Sequence, residues 1–156
     1  MGLVSAIYFN GLLLAAAIED MRHLRIPNRL CLLLGIGGLL LDLPASWGEA
    51  AARLAALGVI GAGGLLLYLL RVLGGGDYKL LVACAVWIPL GQAPVFGVLL
   101  AAIGGLQALA TLAYARVGPA AGWPPVNIRH MPYAVSIAAS GLAWTLALGA
   151  PSWPLG

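Results

Sequence analysis

Five acidic residues, Glu19, Asp20, Asp42, Glu49 and Asp77, are the whole carboxylate inventory of this chain. Two of them stand out by their neighbours. Asp20 follows Glu19 at the head of the most polar stretch in the protein, residues 19–29. Asp77 follows three glycines in Gly74-Gly75-Gly76-Asp77-Tyr78-Lys79, a polar interruption between two strongly apolar runs. An ionisable group at the edge of apolar helices is a functional candidate by default. The glycines strip every side chain from the backbone just ahead of Asp77, and they permit positive φ or close approach of another segment. The plainer alternative is a turn whose Asp does no more than solvate it. Two carboxylates brought within hydrogen-bonding reach cannot both ionise cheaply, so one keeps a proton. The charged member then serves as general base on a water, while the neutral one polarises a carbonyl and later donates its proton. That is hydrolysis of the aspartic-protease type, and such a pair titrates as a unit. Asp20 and Asp77 belong to different predicted helices, so only packing can bring them together.

The elements that must do this are apolar. The chain has 156 residues, 62% hydrophobic and 8% charged, with mean hydropathy +1.00. A soluble domain carries about 25% charged residues, so a single membrane-embedded domain over residues 1–156 is expected. The basic residues do not cluster with aromatics on one face, which argues against a nucleic-acid partner. Cys31 and Cys84 stand singly in apolar runs, which suggests buried thiols rather than a disulfide or zinc framework. His23 and His130 have no partners at metal-ligand spacing, so neither a metal nor another cofactor is expected.

A spanning helix needs about 20 apolar residues. Six spans are predicted, at about 2–18, 30–43, 53–73, 80–90, 94–114 and 131–148, giving an all-α polytopic membrane protein. No Lys or Arg precedes the first apolar run, so it reads as a retained helix and not as a signal peptide. Pro27 ends or kinks a helix, and Asn28 is placed to cap the next. The fourth span is short and can begin inside the glycine tract. Residues 44–52 read as a loop with Trp47 as an interface anchor, and residues 116–130 as a second, proline-containing loop. Gly58, Gly61, Gly63 and Gly64 give the third span a small-residue face for close packing. With six spans, Arg22, Arg25, Arg29, Arg71, Lys79, Arg116 and Arg129 fall on one side and Arg53 alone on the other. The positive-inside rule makes the first side cytoplasmic and puts both termini outside. Asp20 and Asp77 then share the cytoplasmic side, with Asp42 and Glu49 opposite.

Three segments resemble one family, the type IV prepilin peptidases. Asp20-x5-Ile26-Pro27-Asn28 resembles their D-x5-IPN segment, and Gly74-x-Gly76-Asp77-x-Lys79-Leu80 their GxGD-x-K-L segment. Pro132-Tyr133-x3-Ile137-Ala138 resembles the segment that opens their last helix. The motifs occur in the family's order along the whole polytopic chain. The resemblance implies a membrane-integral aspartic endopeptidase of the bacterial inner membrane. Its substrates would be prepilins or pseudopilins with an apolar N-terminal helix, cut at the cytoplasmic face to release a basic leader. Asp20 and Asp77 would be the catalytic pair. Longer relatives carry an N-terminal domain with two CxxC pairs that goes with N-methylation. This chain has no counterpart, so methyltransferase activity is not expected, and the core resembles the short Tad (Flp pilus) branch most. Tyr78 stands where a small aliphatic residue is common.

Around the pair, Gly74 and Gly76 would make room for an extended substrate segment. Lys79 either acts on Asp77 and the substrate or snorkels to the headgroups. Arg22, Arg25 and Arg29 read as anchors on anionic lipid, and Glu19 as their counter-charge or a contact for the basic leader. Pro27 and Asn28 shape the second helix; Pro132 and Tyr133 fix the start of the last one near the pair. Asp42 is expected in an interface or capping role on the far side. Two rivals remain at this level. One is a GxGD protease with non-pilin substrates. The other is a small proton- or cation-coupled transporter, which would more often carry its charges on broken helices near mid-bilayer.

Overall fold

A computed structural model of the chain describes residues 2–118 and 131–147. Among the described residues the fold is all-helical: α1 (Leu3–His23), α2 (Asn28–Leu41), α3 (Trp47–Leu69), α4 (Gly75–Ala85), α5 (Ala93–Val117) and α6 (Tyr133–Ala147), with a 3-10 turn at Leu90–Gln92 leading into α5. Three helical segments, Leu3–His23, Trp47–Leu69 and Leu90–Val117, are long and apolar enough to cross a membrane. α2 and α6, with 14 and 15 residues, are apolar but shorter, and α4 has 11. At 1.5 Å per residue α4 extends only about 16 Å, against a hydrocarbon core of about 30 Å. With large apolar side chains exposed on every helix except α4, the chain is an integral membrane protein.

The helix ends differ from the sequence expectation in instructive ways. α1 does not stop at Ile18 but runs through Glu19 and Asp20 to His23, because Glu19, Met21 and Arg22, all good helix formers, extend it past its apolar part. It ends at Leu24, which adopts a left-handed conformation (φ 52) and donates its N–H to Asp20 O at 2.9 Å. Asn28 is not a cap: Pro27 occupies that position, and Asn28 is the first residue of α2. The expected loop at 44–52 is helical from Trp47 on, because Ser46 caps α3 by accepting the Glu49 N–H at 3.2 Å. The glycine tract is not a turn either. Gly74 is the N-cap of α4, and Gly75, Gly76 and Asp77 form its first helical turn. None of these glycines has positive φ. The fourth element ends at Ala85, short of the expected Leu90. Residues 119–130 and 148–156, including His130, Arg129, Leu148, Trp153 and Pro154, lie outside the described residues.

Side-chain contacts show that α1 runs antiparallel to α2 and to α6, and α3 to α4. Ser5 donates to Leu41 O at 2.9 Å and Tyr8 to Leu33 O at 2.8 Å, joining α1 to α2. Tyr68 stacks on Tyr78 with ring centroids 5.9 Å apart, joining the end of α3 to the start of α4. Asn10 donates to Thr145 at 3.0 Å, joining the start of α1 to the end of α6. Glycines set the closest crossings. A Cβ at Gly37 would lie 2.1 Å from Tyr8, one at Gly38 2.9 Å from Val86, and one at Gly141 2.4 Å from Leu13. Small residues let apolar helices approach in this way. The core gathers where α1, α2, α4 and α6 meet: Phe9, Leu13, Leu34, Leu80, Cys84, Trp87, Ile137 and Trp144 are buried together. α3 and α5 are peripheral, with few buried residues, and touch each other little. On α3 only Gly64 makes the expected close approach, to Leu81 and Tyr78; Gly58, Gly61 and Gly63 face open space.

Candidate active site

The antiparallel order collects the end of α1, the start of α2, the end of α3, the start of α4 and the start of α6 at one end of the bundle. A cavity of about 470 Å³ opens there, lined by Asp20 from α1, Tyr68, Leu69 and Arg71 from the end of α3, Gly74 and Asp77 from α4, and Met131 and Tyr133 from the start of α6. Asp20 and Asp77 are both buried, at 6% and 8% exposure. Their helices do not pack broadly against each other, so what the two carboxylates share is the cavity wall and not a helix crossing.

Each carboxylate is anchored by one oxygen to a helix N-terminus. Asp77 Oδ2 accepts the Gly74 N–H at 3.1 Å, closing the first turn of its own helix. An acid in a first turn faces the positive end of the helix dipole. Asp20 sits at the opposite, unfavourable end of α1, where a negative charge meets free carbonyls. That penalty is offset by α6, whose Ala134 N–H donates to Asp20 Oδ2 at 3.2 Å. Asp77 Oδ1 is buried with no hydrogen-bond partner among the described residues. Such an orphan acceptor is costly.

The glycine pattern follows from this geometry. A Cβ on Gly74 would lie 2.9 Å from Asp77 Oδ2, and one on Gly76 3.3 Å from Ile26. A Cβ on Gly75 would meet only Tyr68, at an ordinary 3.7 Å. Close approach to the carboxylate therefore favours glycine at the first position, and a tight contact with the linker before α2 favours it at the third. Positive φ plays no part.

The other sequence candidates separate into those near the cavity and those away from it. Tyr133 lines the cavity and Pro132 directly precedes α6. Lys79 points away from Asp77 and donates to Asn28 Oδ1 at 3.0 Å, which ties α4 to the start of α2. Pro27 shapes that same start and does not line the cavity. Glu19 is also outside it; on the exposed side of α1 it pairs with His23 at 2.9 Å. Asp42 lies at the far end of α2 and forms an ion pair with Arg53 at 3.1 Å, which Glu49 joins at 3.0 Å. Cys31 and Cys84 are free and buried. Sequence reasoning missed Leu24, Tyr68 and Arg71 as cavity residues. Arg71, read as a topology anchor, is left-handed (φ 59) and lines the cavity. No local pattern announces a left-handed arginine, since that region favours Gly, Asn and Asp.

A second, almost wholly apolar cavity of about 560 Å³ lies between α3 and α5, with Gly63, Gly64, Gly104 and Gly105 in its walls. Val72, Leu73 and Tyr133 line both cavities, so the apolar groove runs into the carboxylate site.

Comparison with known proteins gives no match among curated proteins and none among solved structures. A family model does match, over residues 7–109, well over half of the chain and spanning both Asp20 and Asp77. On that match, the chain is a peptidase belonging to the type IV leader peptidase family.

Proposed function

We propose that this protein is an aspartic endopeptidase that removes the basic leader of type IV prepilins, of the Flp/Tad kind, with Asp20 and Asp77 as its catalytic pair. The observation that carries this reading is the delivery of both carboxylates, from separate helices, to one cavity. A water held between them loses a proton to the charged carboxylate as its oxygen attacks the scissile carbonyl. The protonated partner hydrogen-bonds the carbonyl oxygen, and a proton then passes to the leaving amine. Neither step needs a metal ligand or a cofactor from this chain. The scissile bond must be extended to react, since helical backbone shields its own carbonyls. The side-chain-free wall at Gly74 leaves room for that segment.

The substrate's apolar helix docks in the groove between α3 and α5, which is continuous with the site. All six helices serve as spans, the short ones completed by their flanking segments, with the site end cytoplasmic and both termini outside. Arg22, Arg25, Arg29, Arg71, Lys79 and Arg116 lie toward the site end and Arg53 at the other, which supports that orientation. The carboxylates sit at helix ends, a placement that favours hydrolysis over mid-bilayer ion transport. The test is incubation of the purified protein, in lipid vesicles, with a purified type IV prepilin, followed by mass spectrometry. A product that has lost its leader is expected. An uncut prepilin, with the enzyme shown to be folded, contradicts the proposal.

A further inference from the structure

Gln107 is the first polar side chain on α5, fourteen positions after Ala93 and preceded by apolar residues alone. Both ends of its amide are used on the same target. Nε2 donates to Pro132 O at 3.0 Å, and Oε1 accepts a short hydrogen bond from the Ser136 hydroxyl. Pro132 directly precedes α6, and Ser136 lies in its first turn, buried at 1% exposure. The N–H that holds Asp20, that of Ala134, lies between these two grips. Thr111, one turn further along α5, reinforces the grip. Its hydroxyl bonds Gln107 O at 2.9 Å and Met131 Sδ at 3.2 Å.

We infer that Gln107 is a positioning residue for Asp20, acting through the first turn of α6; the inference rests on the catalytic reading of Asp20 above. α6 does not depend on Gln107 for its place in the bundle. Gly141 seats it against Leu13, Phe9 packs on Trp144 with ring centroids 5.8 Å apart, and Asn10 bonds Thr145. Trp144 also bonds Gln92 at 3.0 Å, which fixes the far end of α6 to the start of α5. The first turn is also packed, with Ala134 and Ile137 in the core; what the Gln107 amide adds is a polar hold on the turn that carries the Ala134 N–H. That hold acts at two points four residues apart, Pro132 O and the Ser136 hydroxyl. It thereby aims one backbone N–H at one carboxylate oxygen. A small displacement of a catalytic group lowers turnover without weakening substrate binding.

The test compares wild type, Gln107→Met, Ser136→Ala and Asp20→Asn, each purified in detergent, by thermal unfolding and by kcat and KM on a purified type IV prepilin. Methionine keeps the length of the side chain and removes both polar ends. Gln107→Met is expected to lower kcat about tenfold with KM within about twofold of wild type. Ser136→Ala, which releases one grip only, is expected to lower kcat about threefold. A kcat at the wild-type level in folded Gln107→Met, or a loss that appears in KM alone or follows the folded fraction, overturns the inference. Should Gln107→Met not fold, Ser136→Ala decides: a reduced kcat at unchanged KM supports the role, and an unchanged kcat overturns it. Asp20→Asn separates the two levels of the argument. If it still cleaves, the catalytic reading itself fails; if it is inactive while Gln107→Met turns over normally, only the positioning role fails.

Discussion

Asp77 commits one carboxylate oxygen to a helix N-terminus and keeps the other unpartnered, while Asp20 is held through Oδ2 by a different helix from its own. This is how two acids can be fixed in place and still be available to a water. On the proposed reading of the two carboxylates as one catalytic pair, the leader-cleavage rate should trace a bell against pH. It should fall on the acid side as the base gains a proton and on the alkaline side as the acid loses one; a flat profile across the acidic range would argue against a carboxylate base. The glycines give a second residue-scale prediction. Gly74→Ala forces Asp77 Oδ2 from its place and should lower kcat/KM by about 10- to 100-fold. Gly75→Ala meets only an ordinary contact and should cleave at close to the wild-type rate in the same assay. Asp20, Asp77, Gly74 and Gly76 were legible in the sequence because their types and spacing are themselves the signal. The Ala134 N–H was not, because any residue but proline supplies one. Glu19, next to Asp20 in sequence, lies outside the cavity and pairs with His23, since successive residues on a helix point in different directions.

At the scale of the elements, the apolar runs foretold the six helices found among the described residues, but not where they end. α1 outlasts its apolar stretch by a full turn, and that turn carries Asp20 into the cavity. α4 begins inside the glycine tract because Asp77 closes its first turn, a capping contact that local composition disguises as a loop signal. Small residues on α3 divide by environment. Gly64 sits against Leu81 and Tyr78, whereas Gly58 faces open space. Gly64→Val should therefore overpack the α3–α4 contact and destabilise the protein by about 1–3 kcal/mol. Gly58→Ala should instead stabilise it by about 0.5–1 kcal/mol, as expected for glycine replaced within a helix. Thermal unfolding of the two variants in one detergent checks both; equal shifts would mean that the α3 face is not divided as described.

At the scale of the whole molecule, the bundle has a packed half, where α1, α2, α4 and α6 share the core, and an open half, where α3 and α5 leave an apolar groove. The charge asymmetry already put Asp20 and Asp77 on one side and Asp42 on the other, and the helix contacts place them at opposite ends of the bundle. The groove was not legible, since a small-residue face looks the same whether it is packed or empty. Gly63 lines it with no atom within 4 Å of an added Cβ, so Gly63→Leu should fill the groove without unfolding the chain. KM for a prepilin should rise severalfold with kcat retained, the signature of lost uniform binding; an unchanged KM would remove the groove as the docking site. The most direct test of the central claim is leader removal from a co-expressed prepilin, followed by gel shift, for wild type, Asp20→Asn, Asp77→Asn and Asp42→Asn. Asparagine keeps the shape of each side chain but cannot exchange the proton. The account predicts complete loss of cleavage in the first two variants and normal cleavage in Asp42→Asn, whereas cleavage by either Asp20→Asn or Asp77→Asn would contradict it.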